Sequence, residues 1–265
     1  MYLTFDAEVY IPLRGDSDYT VHQERVWTRV LDTLKANRVR TTHFVTGEFA
    51  QAFPDLVRRM VEDGHEIGSH TLSHAGFANQ GFERFEREVN DSRTLLRDLT
   101  GTPVLGFRAP FGQVPPNLAA VLARAGYAYD SSLAATHIPH HFEALLSPKH
   151  PYRASSVQIR RGDPRGPILE MPVSVSPIVP LPYGGIFLSG LAPLVMRLPR
   201  SRRDPNIMFL HPYDFVDLAQ FRGAYMWDKW KFTQNNWKLL QYWVTETAGA
   251  DSRMCRLAQI GEESD

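Results

Sequence analysis

The sequence predicts an α/β fold, one barrel-like domain. Three observations carry this. Short β-branched or apolar runs alternate with helical patterns along the first half of the chain, as in parallel βα units. Polar, chemistry-bearing residues stand directly after several of those runs, where α/β barrels place their catalytic groups. No Gly/Ser linker divides the chain, and 265 residues are a usual length for one such barrel.

Met1 to Phe5 is an apolar run that meets charge at Asp6, which predicts a buried first strand. Residues 23–37 carry Val26, Trp27, Val30, Leu31 and Leu34 at helical spacing. Residues 41–46 (TTHFVT) are β-branched and aromatic, so a second strand follows. Residues 54–63 open on a proline and close before Gly64, giving a helix with a legible start and stop. Residues 65–69 predict a third strand, 81–99 a long amphipathic helix, and 103–108 a fourth strand. A helix over 115–125 and a fifth strand over 127–131 complete the regular part. The stretch 133–170 is rich in His and Pro with little periodicity, so long loops with a strand or two are expected. Residues 133–200 as a whole read as loops or a lid over the barrel mouth. Later strands are expected at 168–175 and 206–210. Residues 226–247 read as a helix whose tryptophans (Trp227, Trp230, Trp237, Trp243) pack in the core. The domain is expected to span 1–248, and 249–265 to be a polar, flexible tail.

Composition excludes several classes. Lys+Arg and Asp+Glu are both 29, so net charge is zero and there is no basic field for nucleic acid. Cys255 stands alone, so no internal disulfide framework exists. No apolar run approaches the ~20 residues of a spanning helix. The N-terminus shows neither a basic n-region nor an apolar h-region, so a cytoplasmic protein is expected.

The strongest chemical signal is Ser69-His70-Thr71-Leu72-Ser73-His74. On a helical turn, histidines four apart share a face and can reach one metal ion. Taken alone, two surface histidines at chance spacing would look the same. Asp6-Ala7-Glu8 changes the balance: one carboxylate can complete a three-ligand site, and the other can take a proton from water. Arg108, in Gly106-Phe107-Arg108-Ala109-Pro110-Phe111-Gly112, would need a carboxylate partner if buried. His211, after the apolar run ending at Leu210, suits a general acid near neutral pH. His137, His140, His141 and His150 fit an exposed lid better than a second metal site. Residues 178–200 mix apolar side chains with a basic end, a covering loop or a weak membrane-surface contact.

The order Phe5-Asp6, His70 to His74, Arg108-Ala109-Pro110, Asp130-Ser131 and Leu210-His211 resembles the NodB-homology polysaccharide deacetylases (carbohydrate esterase family 4), over about residues 1–248. The phrase Asp63-Gly64-His65-Glu66-Ile67-Gly68-Ser69-His70 agrees; His65 in it reads as structural. The resemblance implies a distorted (β/α) barrel, one divalent metal, often zinc, and hydrolysis of an N-acetyl group from an amino sugar. It implies Asp6 as general base, His70 and His74 as metal ligands, Arg108 as the holder of the base, and His211 as general acid. The family's common pair of adjacent aspartates is broken here by Ala7. The D-x-E form of the exopolysaccharide-locus branch assigns the metal to Glu8; the alternative puts Asp6 on the metal. Asp130, Glu170, Phe111 and Tyr213 fall in further matching phrases and are expected at the substrate or just behind it. Glu170 reads as a partner of Arg108 or His211, or else as a surface strand residue. Rival readings are another linear or cyclic amide hydrolase on the same barrel, a catalytically dead sugar-binding protein, and a structural metal protein.

Overall fold

The first apolar run becomes a strand paired on both sides in an eight-stranded sheet. The structure is a computed structural model and describes residues 1–138, 144–176, 181–184, 205–224 and 233–262. Among these, the strands are β1 (Tyr2–Ala7), β2 (Thr42–Val45), β3 (Glu66–Ser69), β4 (Gly106–Phe107), β5 (Tyr129–Asp130), β6 (Tyr152–Ala154), β7 (Ile168–Glu170) and β8 (Ile207–Leu210). They form one sheet in the order β6-β7-β5-β4-β3-β2-β1-β8. Every pairing is parallel except β6 against β7. The sheet curls, and residues 173–176 and 181–184 bridge its two sides. Val173 N donates to Leu133 O, Ser174 N to Ile207 O, and Phe209 N to Tyr183 O. The result is the distorted barrel expected.

The helices are α1 (Ser17–Ala36), α2 (Gly47–Ala52), α3 (Pro54–Glu62), α4 (Phe82–Thr100), α5 (Leu118–Ala125), α6 (Thr233–Glu246) and α7 (Met254–Glu262). α1 begins at Ser17, not 23, because Asp16 caps it by accepting from Tyr19 N. α2 was not expected; Thr46 caps it through Phe49 N. α3 and α4 fall within a residue of the expected spans. The short strands β4 and β5 occupy only part of the expected 103–108 and 127–131.

Strand alternation sorts the two faces of β1. Leu3 and Phe5 point to the helices, where the Phe5 ring lies 5.9 Å from that of Trp27. Thr4 and Asp6 point inward. The barrel interior is filled by Phe44, Tyr129, Met171 and Ile207, joined from below by Met254 and Ala258 of α7. Burying each such large side chain contributes ~1.5–3 kcal/mol. Gly106 lets the Tyr129 ring lie against its Cα, because any Cβ there would overlap the ring.

α7 corrects the expected loose tail from 249. Arg40 N donates to Ala250 O, Ser252 N to Arg40 O, and Met254 is fully buried. Met254 N donates to Thr42 Oγ1 and Cys255 N to Glu66 Oε2, so the start of α7 closes the barrel floor. Within 133–200, β6 and β7 belong to the sheet and are not lid. Of 178–200, only 181–184 lie among the described residues, and the membrane-surface expectation falls outside them; so do His140, His141, Trp227 and Trp230. Trp243 is buried and Trp237 packs on Phe215 with Arg29 over its ring, which is the core role expected. No helix of the described residues is long and apolar enough to cross a membrane.

Candidate active site

The strand ends of β1, β3, β4 and β8 meet at one mouth of the barrel, and each brings a residue with chemistry. Asp6 and Glu8 are two apart, so the extended backbone aims both at the interior while Ala7 turns to the core. Gln23 Nε2 pins the turn that follows by donating to Glu8 O at 2.6 Å. The D-x-E spacing therefore places two carboxylates side by side on one face.

Those carboxylates have different partners. Glu8 Oε2 lies 2.5 Å from Nε2 of His74 and 3.4 Å from Nε2 of His70. It has no hydrogen bond of good geometry to either. All three side chains are buried, and their ligand atoms lie within 4.8 Å of one another. A buried carboxylate oxygen facing two imidazole nitrogens without alignment among themselves is the arrangement a shared cation requires. One carboxylate and two imidazoles are also a donor set suited to a hydrolytic zinc ion. The residues present therefore fit a divalent metal. His70 Nδ1 donates to Arg108 O at 2.7 Å, which fixes the tautomer with Nε2 free to ligate. Burial works against ionisation of Glu8. The charge of His74, then contacts with His70 and His74 and the charge of His211, overcome it and hold its carboxyl well below the usual range.

The two histidines do not share a helical turn, contrary to the spacing argument. Residues 70–74 form an irregular turn in which Thr71 has φ 65° and His74 φ 58°. The left-handed region costs ~1–2 kcal/mol per non-glycine residue. The turn persists because its neighbours hold it. Gly47 N and Glu48 N donate to Thr71 O and Leu72 O. Glu88 of α4 accepts from Leu72 N, Ser73 N and Ser73 Oγ at 3.0, 2.8 and 2.6 Å. Four residues are enough to bring both rings to Glu8 by this route.

Asp6 belongs to a second group. Arg108 donates to its Oδ1 at 2.7 Å, to Thr4 Oγ1 at 2.8 Å, to Ser131 O at 2.9 Å and to Ser131 Oγ at 3.0 Å. The guanidinium also lies 4.2 Å over the Phe44 ring. With both side chains buried, this is the carboxylate-paired arginine expected. On the other side, His211 Nε2 is 3.8 Å from Asp6 Oδ2. Asp214 holds His211 by accepting from its backbone N at 2.7 Å and lying 3.3 Å from Nδ1. Burial alone would lower the His211 pKa; the hydrogen bond and charge of Asp214, helped by Glu8 and Asp6, raise it above the ordinary value.

Aromatic rings flank both groups. Phe111 packs on His74 with centroids 4.8 Å apart. Tyr213 stacks on His211 at 4.6 Å and meets Tyr10 at 5.1 Å. Asp130 and Glu170 are opposite each other in the β5–β7 register, and neither is exposed. Glu170 accepts from Leu133 N, and Asp130 accepts from Ser132 Oγ, which in turn accepts from Ala109 N. Burial pushes both carboxyls up, and the charge of Asp130 facing it takes Glu170 well above its usual range. Glu170 is thus neither a surface strand residue nor a hydrogen-bond partner of Arg108 or His211; with Asp130 it braces the strand ends behind Arg108. Glu88 and Asp214 were not read from the sequence. Glu88 falls on α4's buried stripe with Phe85, Val89, Ser92 and Leu96, which is the signal that could have found it. Asp214 stands three residues after His211, a spacing typical of a capping pair.

Comparison with known proteins matches the first half of the sequence and the fold. The polysaccharide deacetylase family profile matches residues 1–129. The chain is 34% identical over 89 residues to a peptidoglycan-N-acetylglucosamine deacetylase of Bacillus cereus, covering 34% of this chain and 32% of that one. It is 37% identical over 100 residues to the chitooligosaccharide deacetylase of Sinorhizobium fredii, covering 37% and 46%. The chain thus spans less than half the length of these curated relatives. Its fold matches a Mycobacterium smegmatis protein provisionally described as a polysaccharide deacetylase, with TM-score 0.67 and 21% identity over 99% of this chain and 90% of that one.

Proposed function

We propose, from the match of residues 1–129 to the polysaccharide deacetylase family profile, that the chain is a metal-dependent hydrolase removing the acetyl group from an N-acetylated amino sugar. The observation that carries the reading is the division of labour at the end of β1. Glu8 faces two imidazoles, whereas Asp6 faces Arg108 and His211.

Glu8, His70 and His74 would hold one divalent ion, zinc on the chemistry of the donor set. Such an ion, once bound, polarises an amide carbonyl and acidifies water. Asp6 is the general base. Arg108 anchors its Oδ1, which leaves Oδ2 to receive the proton of the attacking water. His211 is the general acid. Asp214 beside Nδ1 directs the transferable proton to Nε2, on the side where Asp6 lies. From there it protonates the departing amine, and acetate leaves. Phe111 and Tyr213 present apolar faces beside the two groups and fit the walls of a sugar-binding mouth.

The test is acetate release from N-acetylglucosamine oligomers, chitin fragments and peptidoglycan fragments by metal-loaded protein, with metal analysis of the same sample. Formate release from N-formyl sugars, or ring opening of cyclic amides without acetate release, would move the reaction to another amide hydrolase. No turnover by fully loaded protein on any amide would favour a sugar-binding role. A cytoplasmic place of action is proposed alongside, on the single cysteine and lack of a disulfide framework. Recovery from the periplasm or medium of intact cells would overturn it.

A further inference from the structure

We infer that Glu88 is a positioning residue for the metal-ligating turn, holding residues 71–74 in the shape that lets His74 and His70 converge on Glu8. The inference rests on the metal-binding reading of Glu8, His70 and His74.

Three observations support it. First, the turn does not hold its own shape. Thr71 and His74 both adopt positive φ without being glycine, and a turn of that kind relaxes unless its surroundings over-determine it. Second, the restraint comes from two sides. From one side the backbone of Gly47 and Glu48 takes the carbonyls of Thr71 and Leu72. Gly47 permits this approach, since a Cβ there would overlap Leu72. From the other side Glu88 takes the amides of Leu72 and Ser73 and the hydroxyl of Ser73. Two successive N–H groups after a left-handed residue form a concavity that binds an anion, and the carboxylate of Glu88 fills it.

Third, Glu88 has no comparable demand elsewhere. It is the charged member of α4's buried stripe. Its ion-pair neighbour Arg84 stands 3.9 Å away with a 59% exposed side chain, beyond hydrogen-bond range. A buried carboxylate is retained on an apolar helix face only where polar groups meet it, and here those groups are the amides between the two histidines. Removing the carboxylate frees the segment on which His74 is mounted without touching a ligand.

The experiment compares Zn²⁺ affinity, by competition with a chelator, in the full-length wild type, E88A, E88Q, S73A and L96V. Unfolding of the metal-free proteins and the visible spectra of the Co²⁺ forms are recorded in parallel. E88A is expected to bind Zn²⁺ about 10- to 100-fold more weakly, as supporting partners of metal ligands usually do, and to show an altered Co²⁺ spectrum. E88Q, which keeps an acceptor oxygen, should recover part of the loss. L96V, in the same buried stripe, should lower the melting temperature while leaving affinity unchanged, which separates positioning from general stability. Wild-type affinity and spectrum in E88A overturn the inference. If E88A fails to fold, E88Q and S73A decide: wild-type affinity in both overturns it. A wild type that binds no divalent ion instead sinks the metal reading itself.

Discussion

Replacing Arg108 by methionine isolates the buried ion pair at the barrel mouth. The guanidinium makes four hydrogen bonds, to Asp6, Thr4 and twice to Ser131. Of the partners left behind, Thr4 Oγ1 still donates to Met208 O and Ser131 Oγ to Met171 O. Asp6 is the casualty. Its side chain is 5% exposed, and its other charged neighbour, His211, is 3.8 Å away. An uncompensated buried charge of this kind costs ~3–5 kcal/mol. At about 2–4 °C per kcal/mol for a chain near this size, Arg108→Met should melt roughly 6–20 °C below wild type. Asp6→Asn should cost less, since Arg108 keeps three neutral acceptors. The double variant should be more stable than Arg108→Met, because removing both charges is often close to neutral. The expected coupling is about 2–3 kcal/mol, measured by urea unfolding of all four proteins in the same metal-free buffer. All three variants should lack turnover. Effects that add to within ~0.5 kcal/mol would show that Arg108 and Asp6 do not support each other, and Asp6 would not be a base held by Arg108.

Other outcomes follow from the same geometry. Glu8→Ala should lose the metal, while Asp6→Asn keeps it and loses turnover; the reverse result, read by metal analysis, would exchange the two roles. His211→Ala should keep the metal and lose ~100- to 10,000-fold in rate, and a wild-type rate would make His211 structural. Because Asp214 helps raise the His211 pKa, the protonated acid persists to higher pH, and activity is lost as pH rises through that value. Asp214→Asn should therefore move the basic limb of the pH–rate profile to lower pH; an unmoved limb would refute the pairing. His65 is buried beside His43, and burial first, with nearby Arg253, Arg40 and Arg59, lowers its pKa to about 4. The unfolded chain binds that proton first, so stability should fall between pH 6.5 and 4, by ~3 kcal/mol from this group. His65→Gln should flatten that slope in urea titrations, and an unchanged slope would assign it to other groups.

What could be read in the sequence was whatever local pattern or chemistry fixes by itself. β1 was legible because an apolar run stops at a charge, and α4 because its period is unbroken. Asp6, Glu8, His70, His74, Arg108 and His211 were legible because each follows a strand, and the fold gathers strand ends at one mouth. What was missed depends on contacts distant in sequence. The 70–74 turn looks helical by spacing, and only Gly47 and Glu88, 23 residues before and 18 after His70 by their numbers, impose its left-handed residues. Glu170 reads as a surface strand acid until β5 is placed beside β7 and Asp130 stands opposite it. The tail was expected to be loose because its composition is polar, but Met254 and two backbone amides were enough to seat it.

That seating bears on where this domain can be cut. By composition, a stop after residue 248 would look harmless. It would take Met254 and Ala258 out of the interior cluster with Phe44 and Tyr129, and leave Glu66 and Thr42 without the amides that meet them. Water would then enter the barrel from the end opposite the chemistry, along the rings that support Arg108. Residues as far as Met254 and Ala258 therefore belong with the barrel and not to a dispensable tail. A shortened chain could lose its active site without losing a single residue of it.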